Sequence, residues 1–298
     1  MMAKSNGMAG VEIDSHTTLY GVIGDPIRHS KSPVMMNRAF REAGVNGAYA
    51  AFHVAADRLG DFWAGVRAMG IRGVNVTIPH KLDVMSHLDH VDEGARLIGA
   101  VNTVVNEGGV LTGYNTDGIG YVRSLKEEAM PDLRGKRIAV IGAGGAARGV
   151  LYALLKEEPA EVAVLNRTEE RARELAGAFA SLGQVRALQQ SGGEAEDVLR
   201  SADLVVNTTS IGMHPNVDAC PVDVSLLRPD AVASDLIYNP LETAWLAQAR
   251  SLGLRTHGGL GMFIYQGAYA FEYWTGIPAP TGAMREAVLQ AMQEKSAP

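Results

Sequence analysis

The 298 residues exceed what one hydrophobic core usually holds, so two domains are expected, and 47% hydrophobic with 20% charged residues is the balance of an ordinary globular protein. A net charge of −6 argues against the basic face that nucleic-acid binding needs, and leaves any anionic small substrate to be met by a few local donors. The single cysteine, Cys220, excludes an intrachain disulfide; with no signal-like start and no membrane-length apolar run, a cytoplasmic protein is expected.

Residues 1–16 read as a flexible lead-in. Thr18 to Ile23 predicts a first strand, running into Gly24-Asp-Pro-Ile-Arg-His-Ser-Lys-Ser-Pro33. Ser32 before Pro33 predicts a capped helix start, and Gly44 ends that helix. Ser30 and Ser32 therefore sit at a strand–helix turn, either as a turn serine and an N-cap or as donors in a site. Ala48 to Val54 predicts a strand, Asp57 to Met69 a helix and Arg72 to Thr77 a third strand. Lys81 follows that strand end, where α/β folds collect their ligands, although most lysines are merely solvated. His87 and His90 lie among Asp89, Asp92 and Glu93 and read as a solvated helix face, so no metal is expected. Gly99-Ala-Val-Asn-Thr103 opens a strand; Asn102 either satisfies backbone groups or faces a pocket. Gly113-Tyr-Asn-Thr-Asp117-Gly-Ile-Gly120 leads into a helix through Val122 and Leu125, with Asp117 a helix-dipole acid or a site acid.

The middle of the chain carries the clearest motif. Ile138 to Ile141 predicts a buried strand, breaking into Gly142-Ala143-Gly144-Gly145-Ala146-Ala147 and then a helix through Val150, Leu151, Leu154 and Leu155. Strand, glycine turn and helix start together suit a dinucleotide pyrophosphate, because backbone N–H groups face the anion. The next strand, Glu161 to Asn166, ends where an NAD enzyme carries an acid for the ribose 2′-hydroxyl. Here the chain reads Asn166-Arg167-Thr168, with Arg171 a turn further, and guanidinium groups pair with phosphate oxygens, so NADP is the expected cofactor. Arg171 alone is also compatible with an ordinary helix face. Strands at Val185 to Gln189, Asp203 to Asn207, Ala231 to Tyr238 and Leu254 to Thr256 alternate with helices at Glu194 to Ser201 and Leu241 to Leu252, predicting a parallel sheet covered on both faces. Met262 to Trp274 and Ala283 to Met292 predict two closing helices, with Gln266 the odd polar residue in the first.

These pieces resemble the shikimate dehydrogenase family. The matching stretches are His29-Ser-Lys-Ser-Pro33, Asn75-Val-Thr-Ile-Pro-His-Lys81, Gly99-Ala-Val-Asn-Thr103, Asn115-Thr-Asp117, the glycine turn, Asn166-Arg-Thr168, Asn207-Thr-Thr-Ser210, Asp235-Leu-Ile-Tyr-Asn-Pro240, and Gly259-Leu-Gly-Met262 with Gln266-Gly267, in family order over about residues 18–276. The resemblance implies an α/β protein of two domains: a Rossmann-like, doubly wound NADP-binding domain, 118–252, inserted into an α/β substrate domain, 1–117 plus 253–298. It implies Lys81 and Asp117 as catalytic residues and reversible NADPH-dependent reduction of 3-dehydroshikimate to shikimate. Ser30, Ser32 and Tyr238 would hold the substrate carboxylate, and Thr77, Asn102 and Gln266, with the catalytic pair, its hydroxyls. Gly142 to Ala146, Asn166, Arg167, Thr168, Arg171, Gly259 and Met262 would hold NADP. The expected partner is this small substrate alone, with no nucleic acid or membrane, in a monomer or homodimer. Met36, Gly258 and Phe263 depart from the usual pattern. Rival readings are a quinate/shikimate dehydrogenase of broader use and a non-catalytic nucleotide-sensing relative; retention of Lys81, Asp117 and the glycine turn speaks against the latter.

Overall fold

A computed structural model describes residues 13–294 as two α/β lobes. The first contains β1 (Thr18–Gly24), α1 (Ser32–Glu42), β2 (Gly47–His53), α2 (Leu59–Met69), β3 (Gly73–Val76), β4 (His90–Val91), α3 (Glu93–Ile98), β5 (Thr103–Glu107) and β6 (Val110–Tyr114). Its sheet has the order β2-β1-β3-β5-β6-β4 and is mixed: β1 is parallel to β2 and β3, whereas β5 is antiparallel to β3 and β6. The β5–β6 hairpin turns at Gly108-Gly109, both with positive φ, a backbone shape that glycine adopts without strain.

The chain crosses the lobe boundary on α4 (Asp117–Glu128). The second lobe then runs β7 (Arg137–Ile141), α5 (Gly145–Leu155), β8 (Glu161–Asn166), α6 (Glu169–Phe179), β9 (Val185–Gln189), α7 (Gly193–Ser201), β10 (Leu204–Asn207), β11 (Val232–Asp235), α8 (Ala244–Ser251) and β12 (Arg255–His257). All six strands are parallel in the order β12-β11-β10-β7-β8-β9. That is the doubly wound dinucleotide-binding order, whose crevice opens beyond the strand ends between β7 and β10. Strands β7, β8 and β10 are almost wholly buried, as expected when helices cover both faces. Finally α9 (Leu260–Thr275) and α10 (Thr281–Gln293) return to the first lobe, where Ile264, Phe271, Trp274, Met284 and Val288 pack with Met35, Met36 and Phe40 of α1.

Several expectations change at this level. The boundary at 253 falls inside the second lobe, because β12 hydrogen-bonds to β11 as the sheet's edge strand. Ser32 is not the cap of α1: Lys31 holds that position, Ser32 begins the helix, and its N–H donates to Ser30 Oγ at 3.2 Å. His87 and His90 do not share a helix; His87 ends a short 3₁₀ turn and His90 lies in β4, because the segment bends to pair with β6. Among the described residues no three His, Cys, Asp or Glu side chains converge as a metal site, and no helix is long and apolar enough to cross a membrane. The lead-in lies mostly outside the described residues, but Asp14 and Thr17 are tied to Asn46 at 3.0 and 2.8 Å.

Where the chain re-crosses between lobes, a buried relay joins three elements. Tyr121 OH meets Ser234 Oγ at 2.9 Å, Ser234 Oγ meets His257 Nδ1 at 2.8 Å, and His257 Nε2 meets Ser124 Oγ at 2.8 Å. Burial, aided by the Arg285 charge, lowers the pKa of His257 from 6.5 to about 4. The unfolded chain therefore takes up this proton first as pH falls. Stability from this residue is full above about pH 6.5 and is lost toward pH 4, a change of about 3 kcal/mol. Denaturant melts of the wild type and of His257→Asn across this window should differ in slope; parallel curves would contradict the assignment.

Candidate active site

The first lobe brings its polar residues to the carboxyl ends of β1 and β3 and to the start of α4. Lys81 follows the turn after β3, and Asp117 opens α4 directly after β6. The hairpin brings them together: Lys81 Nζ lies 2.6 Å from Asp117 Oδ2. The side chains are 30% and 14% exposed, so the pair is sheltered yet open on one side. One ammonium hydrogen is committed to Asp117, leaving donors for a ligand.

Asn102 sets the other carboxylate oxygen. Its Nδ2 donates to Asp117 Oδ1 at 2.9 Å and to Thr116 Oγ1 at 3.0 Å, while its Oδ1 accepts from Thr116 N–H at 2.8 Å and from Thr103 Oγ1 at 3.0 Å. Both amide hydrogens are thus engaged, and Asn102 acts here first as the clamp on Asp117. Thr116 continues to α9 by donating to the Gln266 carbonyl at 3.0 Å. Gln266 is half-buried; its Nε2 bonds the Phe263 carbonyl at 2.8 Å, one turn back on its own helix.

A second buried chain was not visible in the sequence. The Tyr49 hydroxyl donates to Asn75 Oδ1 at 2.7 Å and accepts from the Ser32 side chain; Asn75 Nδ2 bonds the Asn102 carbonyl at 3.2 Å and Thr103 Oγ1 at 3.1 Å. Burial holds the Tyr49 phenol well above its usual range, so it stays a neutral donor. Ser32 is thereby linked through one network to the clamp on Asp117. Thr77 directly follows β3, its N–H donating to the Ile23 carbonyl at 3.0 Å.

From the second lobe comes Tyr238, stacked on Phe263 of α9 with centroids 4.6 Å apart and planes at 15°. Phe263 is one of the departures from the family pattern, and it gives Tyr238 a flat support. The turn carrying Tyr238 is held by buried Asp235, which the sequence did not single out. Asp235 accepts from Asn207 Nδ2 at 3.1 Å, Thr243 Oγ1 at 2.9 Å and Ile237 N–H at 3.1 Å, and burial raises its pKa.

The glycine turn fits a dinucleotide. Gly142 has φ +108°, and a Cβ there would lie 2.7 Å from Thr208 Oγ1. Gly144, Gly145 and Ala146 are exposed, and a Cβ at Gly144 or Gly145 would meet nothing within 4 Å, so open space faces the helix start. At the end of β8, Asn166 Nδ2 bonds the Thr168 carbonyl at 2.8 Å, which turns the chain. Arg167 and Arg171 are both exposed, and among the described residues neither has a carboxylate partner. Gly259 fits tightly under the 236–237 backbone, where a Cβ would come within 2.0 Å of the Leu236 carbonyl oxygen. Met262 is half-buried and packs on the second lobe's core, so part of its surface is already committed to the fold.

Comparison with known proteins agrees with this geometry. Residues 22–104 match the family described as shikimate dehydrogenase substrate binding domain, 124–218 match shikimate/quinate 5-dehydrogenase, and 259–289 match the shikimate 5′-dehydrogenase C-terminal domain. The NADP(+) shikimate dehydrogenase of Geobacillus kaustophilus is 50% identical over 92% of this chain and 99% of its own. The chain belongs to the shikimate dehydrogenase family. A family crystal structure in complex with NADP+ superimposes with a TM-score of 0.88 at 42% identity, covering 96% of this chain and 99% of the other. The Thermus thermophilus enzyme in complex with NADP(H) and shikimate gives 0.82 at 37% identity, covering 92% and 99%.

Proposed function

We propose that this chain is an NADP-dependent shikimate dehydrogenase, interconverting 3-dehydroshikimate plus NADPH and shikimate plus NADP⁺. The observation that carries the reading is the Lys81–Asp117 pair at 2.6 Å, on the lobe opposite a glycine turn and two exposed arginines, Arg167 and Arg171, that have no acidic partner among the described residues. Bound NADPH supplies the hydride. The protein's own work is to orient the carbonyl and to move one proton.

As negative charge develops on the carbonyl oxygen, Lys81 Nζ donates a proton to it; in the reverse direction the amine accepts that proton. Asp117 hydrogen-bonds the same substrate hydroxyl and fixes the direction of Lys81, while Asn102 keeps Asp117 from rotating. Ser30, Ser32 and Tyr238 bind the carboxylate through neutral hydroxyl donors, and Thr77 and Gln266 contribute to the ring hydroxyls. Gly142 to Ala146 cradle the pyrophosphate, Asn166 to Thr168 with Arg171 take the adenosine phosphate, and Gly259 and Met262 line the nicotinamide side.

The test follows reduced-nicotinamide absorbance with shikimate and with quinate, each offered NADP⁺ and NAD⁺. Shikimate with NADP⁺ should be the fastest combination. A higher kcat/KM for quinate would move the chain to the quinate branch, and no turnover in any combination would remove it from the enzymes.

A further inference from the structure

Arg148 is the fourth residue of α5, one turn beyond the glycines. Its side chain crosses the lobe seam, and Nε donates to the Ile98 carbonyl of α3 at 2.6 Å. That carbonyl belongs to the last turn of a helix, where a cation is favoured. The residues that follow Ile98 lead directly to Asn102. On the way, the Ala100 carbonyl accepts from Asn115 Nδ2 at 3.0 Å, and Asn115 Oδ1 accepts the Asp117 N–H at 3.1 Å.

The next residue of α5 touches the same place from the other side. A Cβ on Gly118 would come within 2.0 Å of the Gly149 carbonyl oxygen, so α4 and α5 meet backbone to backbone. A Cβ on Gly149 would lie 3.5 Å from Asn115 Oδ1 and 3.8 Å from the Asp117 Cβ. The seam beside these contacts is not filled. A cavity of about 180 Å³ lies there, lined by Ile98, Asn115, Gly118, Gly149 and Tyr152 among others. The specific contacts of Arg148 and Gly149 thus border an unfilled space, while α4 and α5 pack further along through Val122, Leu125, Val150 and Leu154.

We propose that Arg148 is a positioning residue that couples occupancy of the glycine turn to the geometry of Lys81 and Asp117, by tying the first turn of α5 to the Ile98 carbonyl across the lobe seam. This rests on the functional reading above, in which the turn holds the cofactor and the pair serves the substrate. An anion on the α5 N-terminus fixes that turn; the Arg148 bond and the Gly118–Gly149 contact pass the fixation to the segments bearing Asn102 and Asp117. Arg148 touches neither ligand in this scheme.

The experiment measures NADP⁺ and shikimate binding by calorimetry, singly and together, with steady-state kinetics, for wild type, Arg148→Gln and Arg148→Lys. In the wild type, NADP⁺ should tighten shikimate binding by about 5-fold or more, a common scale for coupled sites. Arg148→Gln should abolish that coupling and lower kcat by about 10-fold, with each ligand binding alone within about threefold of wild type. Arg148→Lys should restore most of both, since an ammonium can also donate to the carbonyl. On the wild type alone, NADP⁺ should slow hydrogen exchange at the Gly99 and Ala100 amides, a readout that stands even if the glutamine variant fails to fold. The proposal is overturned by coupling that survives Arg148→Gln, by unchanged exchange at those amides, or by a large loss of NADP⁺ affinity in the absence of shikimate, which would make Arg148 a direct phosphate ligand. A wild type that binds neither ligand would sink the functional reading itself.

Discussion

Lys81→Ala is expected to lower kcat for dehydroshikimate reduction by about 10²–10⁴-fold, the span usual for a general acid–base group. The fold should tolerate the change. The side chain is 30% exposed, and the structural role of this position is its backbone carbonyl, which accepts the Val101 N–H at 2.8 Å whatever the side chain. Asp117 would keep its bond from Asn102 and its place at the start of α4, where the helix dipole favours a carboxylate. Substrate affinity should change much less than turnover, because the serines, Tyr238 and Gln266 remain. Steady-state kinetics in both directions, with circular dichroism to verify the fold, read the result. A variant with most of its turnover intact would take Lys81 out of proton transfer. A variant with normal kcat and raised KM would make it a ground-state binding residue.

The second lobe was largely legible in the sequence, because a parallel sheet buried on both faces writes itself as short apolar runs between helical stretches. β7, β8, β9 and β10 appear within a residue of their predicted bounds, and the glycine turn lies where its motif placed it. The Lys81–Asp117 pair was less legible. Lys81 and Asp117 meet through the β5–β6 hairpin, of which the sequence signals only the opening residues, and Asp117 on its own reads equally as a dipole acid. The resemblance, not the periodicity, singled it out. The Ser32–Tyr49–Asn75 chain was illegible for a simpler reason. Its members sit on α1, β2 and β3, and only the register of parallel strands brings them together. The strand at Leu254 to Thr256 reads with the parallel sheet and pairs there with β11; only the boundary at 253, which the resemblance implies, separates it from that lobe. His257 and Asp235 are ordinary polar residues in the sequence and become distinctive only through burial.

Arg167→Ala should weaken NADP(H) binding by about 10–10²-fold and leave NAD(H) nearly unchanged. The size follows from the contact it removes: a hydrogen bond to a charged group contributes about 1.5–3 kcal/mol, and about 1.4 kcal/mol is a factor of ten. The direction follows from what surrounds it. An arginine already paired with a carboxylate would have to give up that partner to take a phosphate, whereas Arg167 and Arg171 are exposed and have no acidic partner among the described residues, while Glu169 is occupied by Arg173 at 2.7 Å. The site is therefore poised for an anion it does not itself supply. Combining Arg167→Ala with Arg171→Ala should deepen the loss for NADP(H) and make it less sensitive to added salt, since two exposed charges are those that salt screens. Asn166→Asp, by adding an acid where a ribose 2′-hydroxyl would lie, should push preference further toward NAD(H). Equal losses for the two cofactors in the single variant would mean that Arg167 serves the shared part of the dinucleotide. The phosphate would then have to be read elsewhere, with Arg171 alone the remaining candidate at this strand end.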